Sequence, residues 1–323
     1  MNFLSRNSLL LASIGSNISV GSNTANFGTC ASWDGLVGNV TSVGTNGGPS
    51  AYGTYDMSGN IWEWNDLWGG STSLRGIRGG HWSSPVDSTS SLVRGLISPN
   101  STNSGFGIYG FRLTALSNTL SLSNFVSVDD INNNGDTAIA NDGSTGHGSV
   151  SYSFQISAYL VTVCEYVNFL NSVARTDAYG VYRNQMSSSR SGITRSGSSG
   201  SYSYSITSNY ANKPIVWVSW FDAARYCNWL HNNKPNTGVQ NSSSTETGSY
   251  TLNGITSGNA PARNANGTYY IPSENEWYKA AYYKGSSIDA GYWKYATQSN
   301  TDPICISADS TGNGPENSSY TCL

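Results

Sequence analysis

Two acids stand in the run Tyr55-Asp56-Met57-Ser58-Gly59-Asn60-Ile61-Trp62-Glu63-Trp64. Large rings go inside a fold and carboxylates stay in water. Glu63, set between Trp62 and Trp64, therefore needs something to balance its charge. A hard cation would serve. Ca²⁺ takes carboxylate and carbonyl oxygens together, and a glycine lets the backbone turn to present them. On that reading Asp56, Glu63 and the carbonyls of Gly59 and Ile61 form a calcium site. A buried glutamate held by backbone N–H groups accounts for the same residues.

Other chemistries find less support. His81, His147 and His231 lie far apart and without metal-ligand spacing, and no nucleophile elbow frames a serine. Asp129-Asp130 and Asn132-Asn133-Asn134-Gly135-Asp136 lack the glutamate of an EF-hand loop and read as solvated turn residues. None of the five cysteines forms Cys-x-x-Cys. Cys164 and Cys227 fall in helical patterns and read as core thiols. Cys30, Cys305 and Cys322 fall in loop-like sequence, where one disulfide is expected in an oxidising setting.

The elements that must position these residues are few. Thr162-Val163-Cys164-Glu165 is a capping box followed by Tyr166, Val167 and Leu170 at helical spacing. Ser219 starts a second helix with Ala223, Tyr226, Cys227 and Leu230 on one face, and Ser273 starts a third carrying Trp277, Ala280 and Ala281. Val150 to Ile156 alternates like a strand. Residues 183–208 and 232–268 are Ser/Gly/Asn-rich insertions, and 83–108 reads as an exposed loop.

Charged residues make up only 11% of the 323, with a net charge of −3, which argues against a nucleic-acid partner. Ten Trp and 21 Tyr supply large surfaces to bury, and abundant Gly, Ser, Asn and Thr suit turns. The expected class is a loop-rich α+β globule. No apolar run approaches a membrane span, and Met1 to Ile14 is at most a short signal-like stretch or an ordered N-terminus. Six Asn-x-Ser/Thr sequons begin at Asn17, Asn39, Asn100, Asn241, Asn266 and Asn317.

The Tyr55–Trp64 run resembles the hallmark of the formylglycine-generating enzyme (sulfatase-modifying factor) family. Arg75-Gly76-Ile77-Arg78-Gly79-Gly80-His81-Trp82 is similar to that family's Arg-Gly-Gly-Ser-Trp element, and Tyr109-Gly110-Phe111-Arg112-Leu113 to its closing strand. Tyr159 to Asn171, Pro214 to Ala224 and Ile271 to Trp277 are similar to its three helices. The resemblance implies an elaborated C-type-lectin-like fold. It also implies a second calcium site, with one side-chain oxygen and one carbonyl each from Asn26-Phe27 and from Asp34 and Leu36.

The order of the parts departs from the family, in which the helical half comes first. Here the divisions are a lead (1–22), the Trp-Glu-Trp half (23–113), a linker (114–148), the helical half (149–300) and a tail (301–323). The expectation is a circular permutant closed within one chain. Its rival is a polymer in which each chain completes its neighbour.

The family's enzyme oxidises a sulfatase cysteine with copper held by two cysteines just after the Arg-Gly-Gly element. Residues His81 to Arg94 contain no cysteine, so oxidase chemistry is not expected. What remains is a displayed surface. Trp82, Ser83, Ser84, Asp87, Ser91, Arg94, Asn100, Asn103 and Tyr109 would line a paratope-like face for a protein or glycan on an extracellular, cell or virion surface. The alternative is a subunit that assembles with its own copies into a capsid, sheath or filament.

Overall fold

All three helices begin at the expected hydroxyl caps. The computed structural model describes residues 21–66, 73–102, 105–116 and 123–322. Helix α1 spans Val163–Val173, α2 Trp220–His231 and α3 Glu274–Tyr282. In each, the cap hydroxyl (Thr162, Ser219, Ser273) accepts from the backbone three residues on, and the acid there (Glu165, Asp222, Glu276) accepts from the cap N–H. Two orphan donors are satisfied per helix. Helix α2 is buried from Trp220 to Trp229, so it runs through the core rather than over it.

Two four-stranded sheets hold the hallmark motifs. In the first, Gly95–Ile97, Arg75–Arg78 and Trp62–Asn65 run antiparallel, and Tyr109–Gly110 joins parallel to Trp62–Asn65. This register sets Glu63 opposite Arg78 on one side and Gly110 on the other. The second sheet is antiparallel, in the order Tyr269–Tyr270, Thr114–Ala115, Phe154–Ser157, Phe125–Val128. The strand expected from Val150 therefore starts at Phe154. Phe111-Arg112-Leu113 is the short span between the sheets.

The Trp-Glu-Trp half closes onto the helical half of the same chain. The Trp64 indole donates to the Val218 carbonyl, the Trp277 indole to Glu63, and the Asp66 amide to the Pro272 carbonyl. The first described strand also meets the last: Thr24–Ala25 pairs parallel with Ile304–Cys305.

Several expectations need correcting. Residues 114–148 are not a free linker, since they contribute two strands of the second sheet and contacts to α3. Asp130 accepts from the Tyr52 hydroxyl, Asp136 accepts from the Tyr278 hydroxyl, and Asn133 is buried, so these are partnered residues rather than solvated ones. There are two disulfides, Cys30–Cys305 and Cys164–Cys322. Cys164 is thus a bridge partner and not a core thiol, whereas Cys227 is free and buried. The sequence pattern placed Cys164 correctly on α1 but could not show that the tail returns to that helix. Asn39 is fully buried, which closes that sequon in the folded chain, while Asn100, Asn241, Asn266 and Asn317 are exposed. Met1 to Ile14, Asn17 and Asn103 lie outside the described residues. No described helix is long and apolar enough to cross a membrane.

Candidate functional site

The acids of the hallmark motifs are bound to the cations of the other motifs. Glu63 has no solvent exposure, and Arg112 meets it bidentately: Nε donates to Oε2 at 2.6 Å and Nη2 to Oε1 at 2.9 Å. The Trp277 indole adds a bond to Oε2 at 2.9 Å. The remaining Arg112 donors reach the carbonyls of Tyr55, Ser157 and Ala158. One guanidinium thereby ties the hallmark turn, its strand and the second sheet together. Arg78 meets one oxygen of Glu274 at the start of α3, with Nε and Nη2 both on Oε1, and Arg94 holds the other oxygen.

Glu63, Asp56 and Gly59 of the first expected calcium set have partners within the chain. Arg112 supplies the charge balance assigned to a cation. Asp56 accepts from the Gly44 amide and the Asn46 side chain, both at 2.6 Å. Burial raises the Asp56 carboxyl from its ordinary value near 3.8 to about 6. Gly59, at φ 90°, lets the turn approach the Asn26 carbonyl, which a Cβ would meet at 2.3 Å. Its own carbonyl accepts from the Ile61 amide. In the second set, Asn26 is buried; its Nδ2 donates to Asn39, Thr41 and Asn60 while its Oδ1 has no partner among the described residues, and the Phe27 carbonyl accepts from the Cys30 amide. Asp34 sits on an exposed turn and accepts from the Tyr210 hydroxyl, and the Leu36 amide closes that turn onto Trp33.

Several residues expected to form a binding face are not exposed. Trp82, Ser84, Ser91 and Tyr109 are buried, and Arg94 is spent on Glu274 and Asp142. Arg190 lies over the Trp82 ring at 3.8 Å. Ser83, Asp87 and Asn100 are exposed. The segment was read as a loop because it is rich in Ser and Asn. Its polar groups instead bond inward, as where the Arg78 guanidinium takes the Ser91 carbonyl. His81 shares the segment, and burial with Arg190 nearby lowers its imidazole to about 4.

A cleft of about 350 Å³ opens elsewhere, between α1, α2, the second sheet and the tail. Tyr226 and Trp229 of α2 form part of its wall, with the half-exposed Phe125 and Tyr269, whose rings meet edge to face at 6.3 Å. Glu165 and Lys234 are its charged members. Glu165 is raised by burial while capping α1, where its Oε2 accepts from the Thr162 amide and hydroxyl. Tyr320 closes one end: its hydroxyl bonds Thr162 at 2.7 Å, its ring packs on Tyr159 at 5.4 Å, and the Cys164–Cys322 bridge fixes it there. Such a cleft, which mixes aromatic and aliphatic walls with about as many polar side chains, suits a small ligand.

None of these cleft residues was singled out as a site from sequence. Tyr226 was placed on a buried helical face and Glu165 in a cap. Both placements hold, but nothing local to either residue shows that the tail returns to enclose a space beside them. Cys30, Cys305, Cys164 and Cys322 are joined in pairs, and burial pushes the Cys227 thiol well up. No curated protein and no solved structure matches the chain. The family model of the sulfatase-modifying factor enzyme 1-like domain matches residues 15–115 and 131–313. With its interlocked motifs so matched over most of its length, the chain belongs to the sulfatase-modifying factor enzyme 1-like domain family.

Proposed function

We propose that this chain is a non-catalytic binding member of its family, holding a ligand on a rigid, loop-rich frame. The observation that carries the reading is the preformed cleft between α1 and α2, set in a chain whose cysteines are not available as a thiolate pair. Two disulfides favour an oxidising location, such as an extracellular, cell or virion surface. The reversed order of the halves is read as a circular permutation. Support comes from Thr24–Ala25 lying beside Ile304–Cys305, which is where new ends would open in a closed fold.

Two assays on the full chain test the reading together. An array of glycans and proteins is probed with the labelled chain, and a cysteine-containing sulfatase peptide is incubated with the chain and copper. The reading expects a saturable ligand on the array and an unchanged peptide. Conversion of the peptide cysteine to an aldehyde would overturn it.

A further inference from the structure

We infer that the cleft beside Tyr226 takes an uncharged saccharide unit; this rests on the binding reading above. Tyr226 is 3% exposed, and its hydroxyl is neither bonded to another described side chain nor fully enclosed, so its polar end opens on the cleft. The Tyr226 ring is fixed on α2 by Phe111, Phe169 and Trp229, at 5.4–5.5 Å. Its hydroxyl end feels Glu165 and Tyr320, which both line the cleft. The unused donor therefore faces the space a ligand would fill.

The chemistry around it favours a polyol. Aromatic rings offer flat apolar faces to the C–H face of a sugar ring. Asn124, Asn168 and Ser172 add amide and hydroxyl groups at the rim. Charge is balanced: the cleft has one carboxylate and one ammonium, and Lys234 acts on Glu165 rather than leaving it alone. A strongly anionic or cationic ligand would leave one of the two charges opposed. About 350 Å³ lies at the small end of ligand sites and suits one or two sugar rings better than a folded protein surface.

The test uses the full chain with methyl glycosides of neutral hexoses, N-acetylglucosamine and neutral disaccharides as probes. Glucuronate, glucosamine and a short unrelated peptide serve as comparisons. Binding is read by saturation-transfer magnetic resonance and calorimetry. Tyr226→Phe keeps the ring packing and removes only the hydroxyl. Ser172→Trp, at a half-exposed position, fills the cleft from its rim.

At least one neutral saccharide is expected to bind at one site per chain. Tyr226→Phe should weaken it by about 2–10-fold, the value of one hydrogen bond, and Ser172→Trp should abolish it. Failure of every neutral saccharide to bind would overturn the inference. So would equal affinity in both variants, or tighter binding of a charged sugar or the peptide. A protein ligand found on the array alongside saccharide failure would sink this inference alone and leave the binding reading standing. If Tyr226→Phe loses its fold, Ser172→Trp decides the outcome.

Discussion

Removing one partner of the Glu63–Arg112 pair should be among the most destabilising single changes available in this chain. Both side chains are fully buried. In Arg112→Met the Glu63 carboxylate keeps only the Trp277 indole, and the carbonyls of Tyr55, Ser157 and Ala158 lose their bond to the guanidinium, though Ala158 keeps the Tyr55 amide. Breaking a buried pair costs about 3–5 kcal/mol, because an uncompensated charge stays in the interior. In Glu63→Gln the shape is kept and the Arg112 cation is stranded, so the cost should fall at the lower end of that range. Replacing both, as Glu63→Leu with Arg112→Met, removes the stranded charge and leaves mainly the carbonyls of Tyr55 and Ser157 without the guanidinium donor. The double variant should therefore be more stable than the sum of the singles predicts, by about 2–3 kcal/mol. Urea unfolding followed by tryptophan fluorescence measures all four proteins. A Glu63→Gln cost below about 1 kcal/mol, or additivity within about 0.5 kcal/mol, would refute the assignment of Arg112 as the counter-charge.

Asp56 gives a pH signature. Its carboxyl holds a proton to about pH 6 in the folded chain but only to about 3.8 when exposed, so the folded state binds more protons between these values. Stability should fall as pH rises through that window, by roughly 3 kcal/mol in all, and be flat on either side. Asp56→Asn should remove this fall. Asp177, also raised to about 6 by burial, contributes the same sign in both proteins, so the comparison of pH–stability profiles isolates Asp56. Identical profiles would reject the burial of an unbalanced carboxyl. Reducing the two disulfides should lower stability by about 2–5 kcal/mol each, seen as a drop in melting temperature with dithiothreitol. Because Arg112 already balances Glu63, excess EDTA should leave the melting temperature unchanged. A fall on chelation, restored by Ca²⁺, would return Asp56 and Glu63 to a metal.

Local chemistry in the sequence was read well. The three capping boxes mark their helices because a hydroxyl and an acid three residues apart settle the N-terminus without help from elsewhere. The run around Glu63 was recognised as needing a charge partner. The partner itself was not legible, because Arg112 lies 49 residues on and reaches Glu63 only through strand pairing. The same limit applies to the ligand face. Ser84 and Ser91 have the composition of a solvated loop, and only the fold shows their segment turned inward against Arg78 and α3. The cleft depends on contacts still more distant, since Tyr320 meets Thr162 across 158 positions. Spacing patterns of 2 and 3.6 residues carry no information about such a return.

The most direct test of the binding account is to map the ligand on the folded chain by two-dimensional magnetic resonance. The account predicts that ligand shifts the Trp229 indole signal and the amides of Asn124, Glu165 and Lys234, while those of His81 to Arg94 stay in place. Shifts confined to the His81–Arg94 segment, with the Trp229 indole unmoved, would contradict it.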